Sequence, residues 1–264
     1  MDGFTPRVHG IEPSAQPDVR SALFALGPRK ILTHSMRHAA AIARREAEYR
    51  RNRAHAVKAR RAVANGYTMR GCDEQRLFFV HIPKAAGISV NEALFGGLGA
   101  GHATVTQYQR LFGPLFFSRA YSFTFVREPV ARLKSAFRFL KTGGMNAHDR
   151  EFAERNLRGI DSFEAFVLDW LDAGRIQSGI HLKPQWEFLC PVYPFIAVDF
   201  VGRYENIDAD FAHVARQLKR NVSLPHANRT PASAPTAEIS PDVRRKVENL
   251  YDWDYKLLGY PKTG

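Results

Sequence analysis

Two cysteines in 264 residues, Cys72 and Cys190, are too few and too far apart for a disulfide framework or a cysteine-based zinc site. They read as unpaired thiols of a reducing compartment. Long apolar runs are also missing: none approaches the roughly 18 residues that a membrane-spanning helix needs. Ala22–Gly27 is too short for the apolar core of a signal peptide, and Arg29 and Lys30 follow it. Export and membrane spanning are therefore not expected; a cytoplasmic protein is. Acidic residues are scarce in the first 70 positions, 5 against 14 Lys and Arg, a net of +9 out of +12 for the whole chain. The other 194 residues carry 24 basic and 21 acidic side chains, a net of only +3. A nucleic-acid enzyme carries its basic excess on the working domain. Here the N-terminal stretch carries it, so nucleic acid is not the expected partner.

What is present divides the chain in two. Residues 1–30 show scattered Pro and Gly without a sustained period and read as a mobile or peripherally docked tail. Met36–Ala64 lacks Gly and Pro, is rich in Ala and Arg, and should be helical by propensity. Its large apolar residues are few (Met36, Ile42, Tyr49, Val57, Val63), which suits a solvated basic arm. Such an arm can meet acidic lipid, acidic glycan or another anionic polymer, and so reach a membrane surface peripherally. Residues 1–70 are accordingly expected to form a basic, partly helical or mobile arm, and residues 71–264 the working domain.

Within that domain apolar strands alternate with helical segments. Leu77–Val80 reads as a buried strand and Val90–Leu94 as helix. Gly96–Gly101 is a Gly-rich turn, and His102–Phe112 reads as a short strand passing into a helix. Tyr121–Val126 is a second strand, followed by a helix with Pro129 at its first position that ends at Thr142–Gly144. Residues 145–190 read as mostly helical, with Phe163, Phe166, Val167 and Trp170 facing the core. Phe195–Val201 is a third strand ending at Gly202, and Ile207–Arg220 is an amphipathic helix. A polar loop over 221–239 precedes a last helix started by Ser240 and Pro241. Strands alternating with helices define an α/β fold with a central, mainly parallel sheet.

Two strand–turn–helix units carry the chemistry. In the first, Pro83 stops strand pairing, Ala85, Ala86 and Gly87 keep the turn small, and Lys84 adds a charge at a helix N-terminus. Main-chain N–H groups and the positive end of the helix dipole converge there, a ready anion site. In the second, Arg127 follows the strand end at Val126, and Ser135 lies less than two helical turns into the next helix. Both can face the crevice beyond the strand carboxyl ends, where ligands of open α/β sheets sit. Arg127 can grip a phosphate with two nitrogens, and Ser135 can donate a hydroxyl. Two phosphate-binding turns in one sheet call for a ligand with phosphates at two separate positions.

His81-Ile-Pro-Lys-Ala-Ala-Gly-Ile-Ser89 resembles the 5′-phosphosulfate loop of sulfotransferases that use 3′-phosphoadenylyl sulfate (PAPS). Val126-Arg-Glu-Pro-Val-Ala-Arg-Leu-Lys-Ser135 resembles their 3′-phosphate motif. The carbohydrate sulfotransferase branch with a His-Ile-Pro-Lys signature is the nearest in pattern. Lys183-Pro-Gln185, Val201-Gly-Arg-Tyr-Glu-Asn206, Leu224-Pro-His-Ala-Asn228 and the tail Tyr251–Tyr260 agree with it. The resemblance covers about residues 75–261. It implies a P-loop-like three-layer fold, PAPS as donor, 3′,5′-ADP as product, no metal, and a glycan or glycoconjugate hydroxyl as acceptor.

Carried over position by position, the resemblance makes Lys84 the residue at the bridging oxygen of the leaving phosphate. Ala85, Ala86, Gly87 and Ile88 become the main-chain cradle of the 5′-phosphate, and Ser89 adds a hydroxyl. Arg127 and Ser135 become the 3′-phosphate ligands. Ala85 and Ile88 stand where hydroxyl residues are common in the family, which implies weaker donor binding. Glu128 replaces the usual Asp or Asn. His102 falls where relatives carry a histidine between the two phosphate motifs and is the candidate general base, with His148 and Glu164 in reserve. His81 is expected to hydrogen-bond within the strand–turn core. Arg203 and Glu205 suit an ion pair at a strand end or a ligand contact. Gln185 with Lys183 suits a structural role or the acceptor groove, and His226, Asn228 and Arg229 suit a loop over the nucleotide. Trp170, Trp186 and Trp253 read as core. Two other readings share these features: a P-loop-like nucleotide kinase, disfavoured because Lys84 precedes Gly87 by three positions, and a non-catalytic domain that binds anionic polymers.

Overall fold

The computed structural model of the chain describes residues 27–64, 66–225 and 239–263, for residues 27–35, 37 and 64 the backbone alone. The expected tail over residues 1–26 and the positions His226, Asn228 and Arg229 lie outside the described residues. Helices α1 (Gly27–Arg51) and α2 (Arg53–Arg61) come first, then a two-residue antiparallel hairpin, Val63–Ala64 with Tyr67–Thr68. Strand β1 (Leu77–Val80) leads into α3 (Gly87–Phe95) and α4 (Val105–Phe112). Strand β2 (Tyr121–Val126) leads into α5 (Pro129–Lys141) and α6 (Ala147–Asn156). Strand β3 (Phe200–Arg203) leads into α7 (Ile207–Gln217), and α8 (Pro241–Leu250) and α9 (Asp252–Leu258) close the chain.

The three strands form one parallel sheet in the order β1-β2-β3. Because successive strand residues face opposite ways, an apolar strand feeds two cores. Leu77, Phe79, Phe123, Phe125 and Phe200 pack with Val90 and Leu94 of α3 and Phe211 and Val214 of α7. Phe78, Val80, Val126 and Val201 pack on the other side with α4, α5, α8 and α9. Helices thus cover both faces of the sheet. Phe79, Phe123 and Phe200 share one register row, the first two rings stacked at 4.9 Å.

Three segments differ from expectation. No strand precedes α4: Gly99 and Gly101 adopt positive φ, and a reciprocal capping box between Thr104 and Gln107 starts the helix directly. The third strand begins at Phe200 rather than Phe195, because pairing with β2 starts only after the Asp199 carboxylate has taken the Ser122 N–H (2.8 Å) and hydroxyl (2.7 Å). Residues 145–190 hold one longer helix, α6, and otherwise short turns. Among these, Ser162 caps a single turn that widens into a π-helical stretch at Phe166–Trp170, and Asp172 accepts from Gly174 N and Arg175 N. Side chains that bond their own turn compete with helix propagation.

The basic arm is helical as expected, but α1 and α2 lie on the domain against α4 instead of standing in solvent. Apolar contact is small: Ala56 is buried, whereas Met36 and Val63 are exposed. Docking relies on long polar side chains that bury their stems. Arg45 donates to Pro191 O (2.7 Å) and Glu46 accepts from Leu115 N (3.4 Å). Arg60 pairs with Asp73 (3.2 Å) with its guanidinium 4.9 Å over Phe112, and His38 meets Phe195 at 4.9 Å.

Candidate active site

A cavity of about 390 Å³ opens beyond the carboxyl ends of β1 and β2. Lys84, Ala86, Gly87, Ile88, Ser89, His102, Arg127 and Ser135 all line it, so eight of the nine sequence-derived site residues converge on one space. The ninth, Ala85, gives the turn its main chain while its side chain is buried in the core. The reserve bases are elsewhere: His148 is exposed on α6, and Glu164 accepts from the Ser240 hydroxyl (2.8 Å).

The turn after β1 is held in an unfavourable backbone. Lys84 (φ 67°) and Ala86 (φ 65°) are both left-handed, at a cost of about 1–2 kcal/mol each. Ala86 is the N-cap of α3 and supplies no capping side chain. By contrast, α4, α5, α6 and α8 are capped by Thr104, Glu128, Asn146 and Ser240. The first N–H groups of α3 are left for a ligand, at the positive end of the helix dipole. Gly87 is required sterically: a Cβ there would lie 1.7 Å from the His81 ring. That ring is pinned in turn, because Asn91 Nδ2 donates to His81 Nδ1 (3.3 Å).

Arg127 is positioned through its own peptide. Buried Gln185 accepts from Arg127 N (2.9 Å) and donates from Nε2 to Arg127 O (2.8 Å). Gln185 N and Trp186 N both donate to the buried Asp254 carboxylate, each at 2.9 Å. Gln185 is therefore a brace inside the protein, not part of an acceptor groove. The Arg127 guanidinium lies 4.0 Å over the Tyr204 ring and donates to Lys84 O (3.4 Å), tying the two turns together. Arg203 and Glu205 also brace: Arg203 donates to Leu258 O (2.7 Å), Glu205 accepts from Glu128 N (2.7 Å), and Tyr260 lies between them. Glu128 caps α5 by accepting from Val130 N and Ala131 N.

Electrostatics in the cavity are cationic. The Lys84 ammonium sits 4.0 Å over the Phe139 ring. Its pKa is lowered, first by burial and then by the Arg127 charge, with Asp149 opposing. Two cations facing one cavity favour an anionic guest. Beside them stand His81, His102 and His181, with ring centroids 4.3 Å apart for the first pair and 5.7 Å for the second. Burial lowers all three pKa values: His81 far below the ordinary range, His181 to about 4, and His102 in the same direction.

Neutral imidazoles have a defined tautomer, set by their partners. His102 Nδ1 donates to His81 O (3.0 Å), which leaves the Nε2 lone pair as acceptor. His181 Nε2 donates to Asp149 Oδ1 (3.0 Å), a hydrogen bond rather than an ion pair, and its buried Nδ1 has no partner among the described residues. His181, Phe139 and Tyr204 are wall residues that sequence reading missed. Tyr204 lay inside a quoted motif, but His181 and Phe139 carry no local signature. Of the tryptophans, Trp170 and Trp186 pack on the core, whereas Trp253 is 41% exposed with its ring 4.6 Å from Tyr193.

Fold and site together define an α/β protein with a crevice at the strand carboxyl ends that is lined by Lys84 and Arg127. More narrowly, the chain belongs to the sulfotransferase family, whose model matches residues 67–261. It is 34% identical to carbohydrate sulfotransferase 12 of Mus musculus, over 53% of this chain and 40% of that protein. It is 25% identical to carbohydrate sulfotransferase 14 of Danio rerio, over 53% of this chain and 44% of that one. The aligned part thus spans about two fifths of the length of these relatives. No solved structure matches the chain.

Proposed function

We propose that this chain is a PAPS-dependent sulfotransferase of the His-Ile-Pro-Lys type, with a P-loop-like donor site and a carbohydrate or glycoconjugate hydroxyl as acceptor. The observation that carries the reading is the facing pair of anion grips in one cavity. One is the uncapped N-terminus of α3 with Lys84; the other is Arg127, braced by Gln185, with Ser135. A nucleotide bearing phosphates at both its 3′ and 5′ positions suits two grips joined by the Arg127–Lys84 contact. The names of the similar proteins support a carbohydrate acceptor.

When bound, PAPS supplies an activated sulfuryl group. The residues present do the rest. The first N–H groups of α3 and the Ser89 hydroxyl hold the 5′-phosphate end; Arg127 and Ser135 hold the 3′-phosphate. Lys84 meets the charge that develops on the bridging oxygen as the sulfur–oxygen bond breaks. His102 Nε2 takes the proton of the acceptor hydroxyl as the new sulfur–oxygen bond forms, and 3′,5′-ADP carries away the electron pair. Burial favours this role by keeping His102 neutral. On the arm, Arg44, Arg51, Arg53, Lys58 and Arg61 remain exposed, which supports peripheral contact with acidic membrane or anionic polymer as part of the same proposal.

The test is incubation with ³⁵S-labelled PAPS and desulfated glycosaminoglycan, glycolipid and glycopeptide acceptors, with ATP–Mg²⁺ binding measured alongside. Label on a glycan is the expected result. Tight 3′,5′-ADP binding without transfer favours a non-catalytic domain, and binding of ATP–Mg²⁺ in preference to 3′,5′-ADP favours a kinase.

A further inference from the structure

A second cavity of about 340 Å³ also has His102 in its wall. Its walls are Met69, Ala100, His102, Ala103, Gln107 and Leu111. Among the described residues, His102 is the one that lines both this cavity and the donor-side cavity. We propose that this second cavity is the acceptor subsite: it seats the ring of the sugar whose hydroxyl is sulfated, next to His102. The inference rests on the sulfotransferase reading above and adds where the acceptor lies and which residues select it.

The wall chemistry fits a sugar ring. Met69, Ala100, Ala103 and Leu111 offer an apolar shelf of small and pliable side chains, suited to the C–H face of a pyranose. Gln107 supplies direction. Its Oε1 already accepts from Thr104 N (2.8 Å) in the capping box of α4. Its Nε2 therefore remains as a donor to a ring or hydroxyl oxygen. Arg70 and Arg110 are exposed neighbours of Met69 and Leu111 in the chain but do not line the cavity, and Arg70 Nε donates to Arg61 O (3.0 Å).

His102 is set up to serve both cavities. Its Nδ1–H is fixed on His81 O (3.0 Å), and His81 itself belongs to the donor loop. A base anchored to the donor turn and forming a wall of the acceptor cavity meets the hydroxyl where the two substrates approach each other. Gly99 and Gly101 carry the segment around this wall; a Cβ at Gly99 would lie 2.2 Å from Asn91 Oδ1, so the backbone passes close to the donor helix.

Gln107→Glu is the informative variant, because glutamate preserves the Thr104 capping box while replacing the free amide donor by a carboxylate oxygen. Ala103→Leu fills the cavity as an independent variant. Calorimetry gives the Kd for 3′,5′-ADP, then for desulfated chondroitin, heparosan and N-acetyllactosamine oligosaccharides added to that complex. Label transfer from PAPS gives KM and kcat for the same acceptors. The expected result is an unchanged 3′,5′-ADP Kd, with acceptor Kd and KM raised at least about tenfold in both variants and kcat altered less. Unchanged acceptor Kd and KM in folded Gln107→Glu and Ala103→Leu proteins overturn the subsite. Wild type that binds 3′,5′-ADP but none of these saccharides overturns it too. Wild type that fails to bind 3′,5′-ADP overturns the sulfotransferase reading itself, which is a distinct outcome.

Discussion

Replacing Gln185 with leucine tests how the site is built. The side chain is fully buried, and both ends of its amide are spent on the Arg127 peptide, accepting at 2.9 Å and donating at 2.8 Å. Leucine has a similar volume, so the packing change is small, but two main-chain groups lose their partner. Each unsatisfied buried group costs about 1–3 kcal/mol. Arg127 is half-buried, so water repairs part of the loss, and the lower half of the range applies: about 2–4 kcal/mol in total. For a domain of this size that lowers Tm by about 4–16 °C. Urea unfolding gives the free energy, and calorimetry of 3′,5′-ADP gives the functional consequence, a weaker Kd because the Arg127 guanidinium loses its fixed direction over Tyr204. Gln185→Glu keeps the acceptor for Arg127 N but sets an oxygen against Arg127 O, and it should recover only part of the stability. A Gln185→Leu protein within about 1 kcal/mol of wild type and with unchanged affinity would refute the bracing role.

Gly87→Ala places a Cβ 1.7 Å from the His81 ring, which is held by the Asn91 amide and packed at 4.3 Å against the His102 ring. The α3 turn must open, and 3′,5′-ADP binding should fall by more than about tenfold with a stability loss of about 1–3 kcal/mol, read by calorimetry and urea unfolding. On pH, the three cavity histidines have folded pKa values below the unfolded value near 6.5. The unfolded chain therefore binds more protons as pH falls, and stability declines as pH drops from about 6.5 toward 4, by up to about 3 kcal/mol for His181 alone. His181→Phe should flatten that decline in a stability-versus-pH series; an unchanged slope would mean that His181 does not titrate as inferred.

How much of this was legible depends on whether the signal was local. The β1–turn–α3 and β2–turn–α5 units could be read directly, because apolar strands, Pro83 and Pro129, and the small residues before α3 act within a few positions. Their convergence followed from the parallel sheet, whose strands put Lys84 and Arg127 at the same edge. The choice between brace and groove for Gln185 could not be made locally, because its role depends on a contact 58 residues away. His181 and Phe139 could not be singled out, since nothing near them in the chain marks them as walls. The arm deceived for another reason: hydrophobic periodicity measures apolar burial, whereas α1 and α2 dock through Arg45, Glu46 and Arg60. Strand edges at 102 and 195 failed where side-chain bonds to the backbone, from Gln107 and Asp199, outcompeted β propensity.

The central claim is that Lys84–Ser89 and Arg127 with Ser135 hold two phosphates of one nucleotide. Calorimetric titration of wild type and Arg127→Ala with 3′,5′-ADP and with 5′-AMP tests it most directly. Loss of a charged hydrogen bond should weaken 3′,5′-ADP by about tenfold to a hundredfold in the variant and leave 5′-AMP nearly unchanged. Equal weakening of both nucleotides, or wild type that binds 5′-AMP as tightly as 3′,5′-ADP, would contradict the two-grip site.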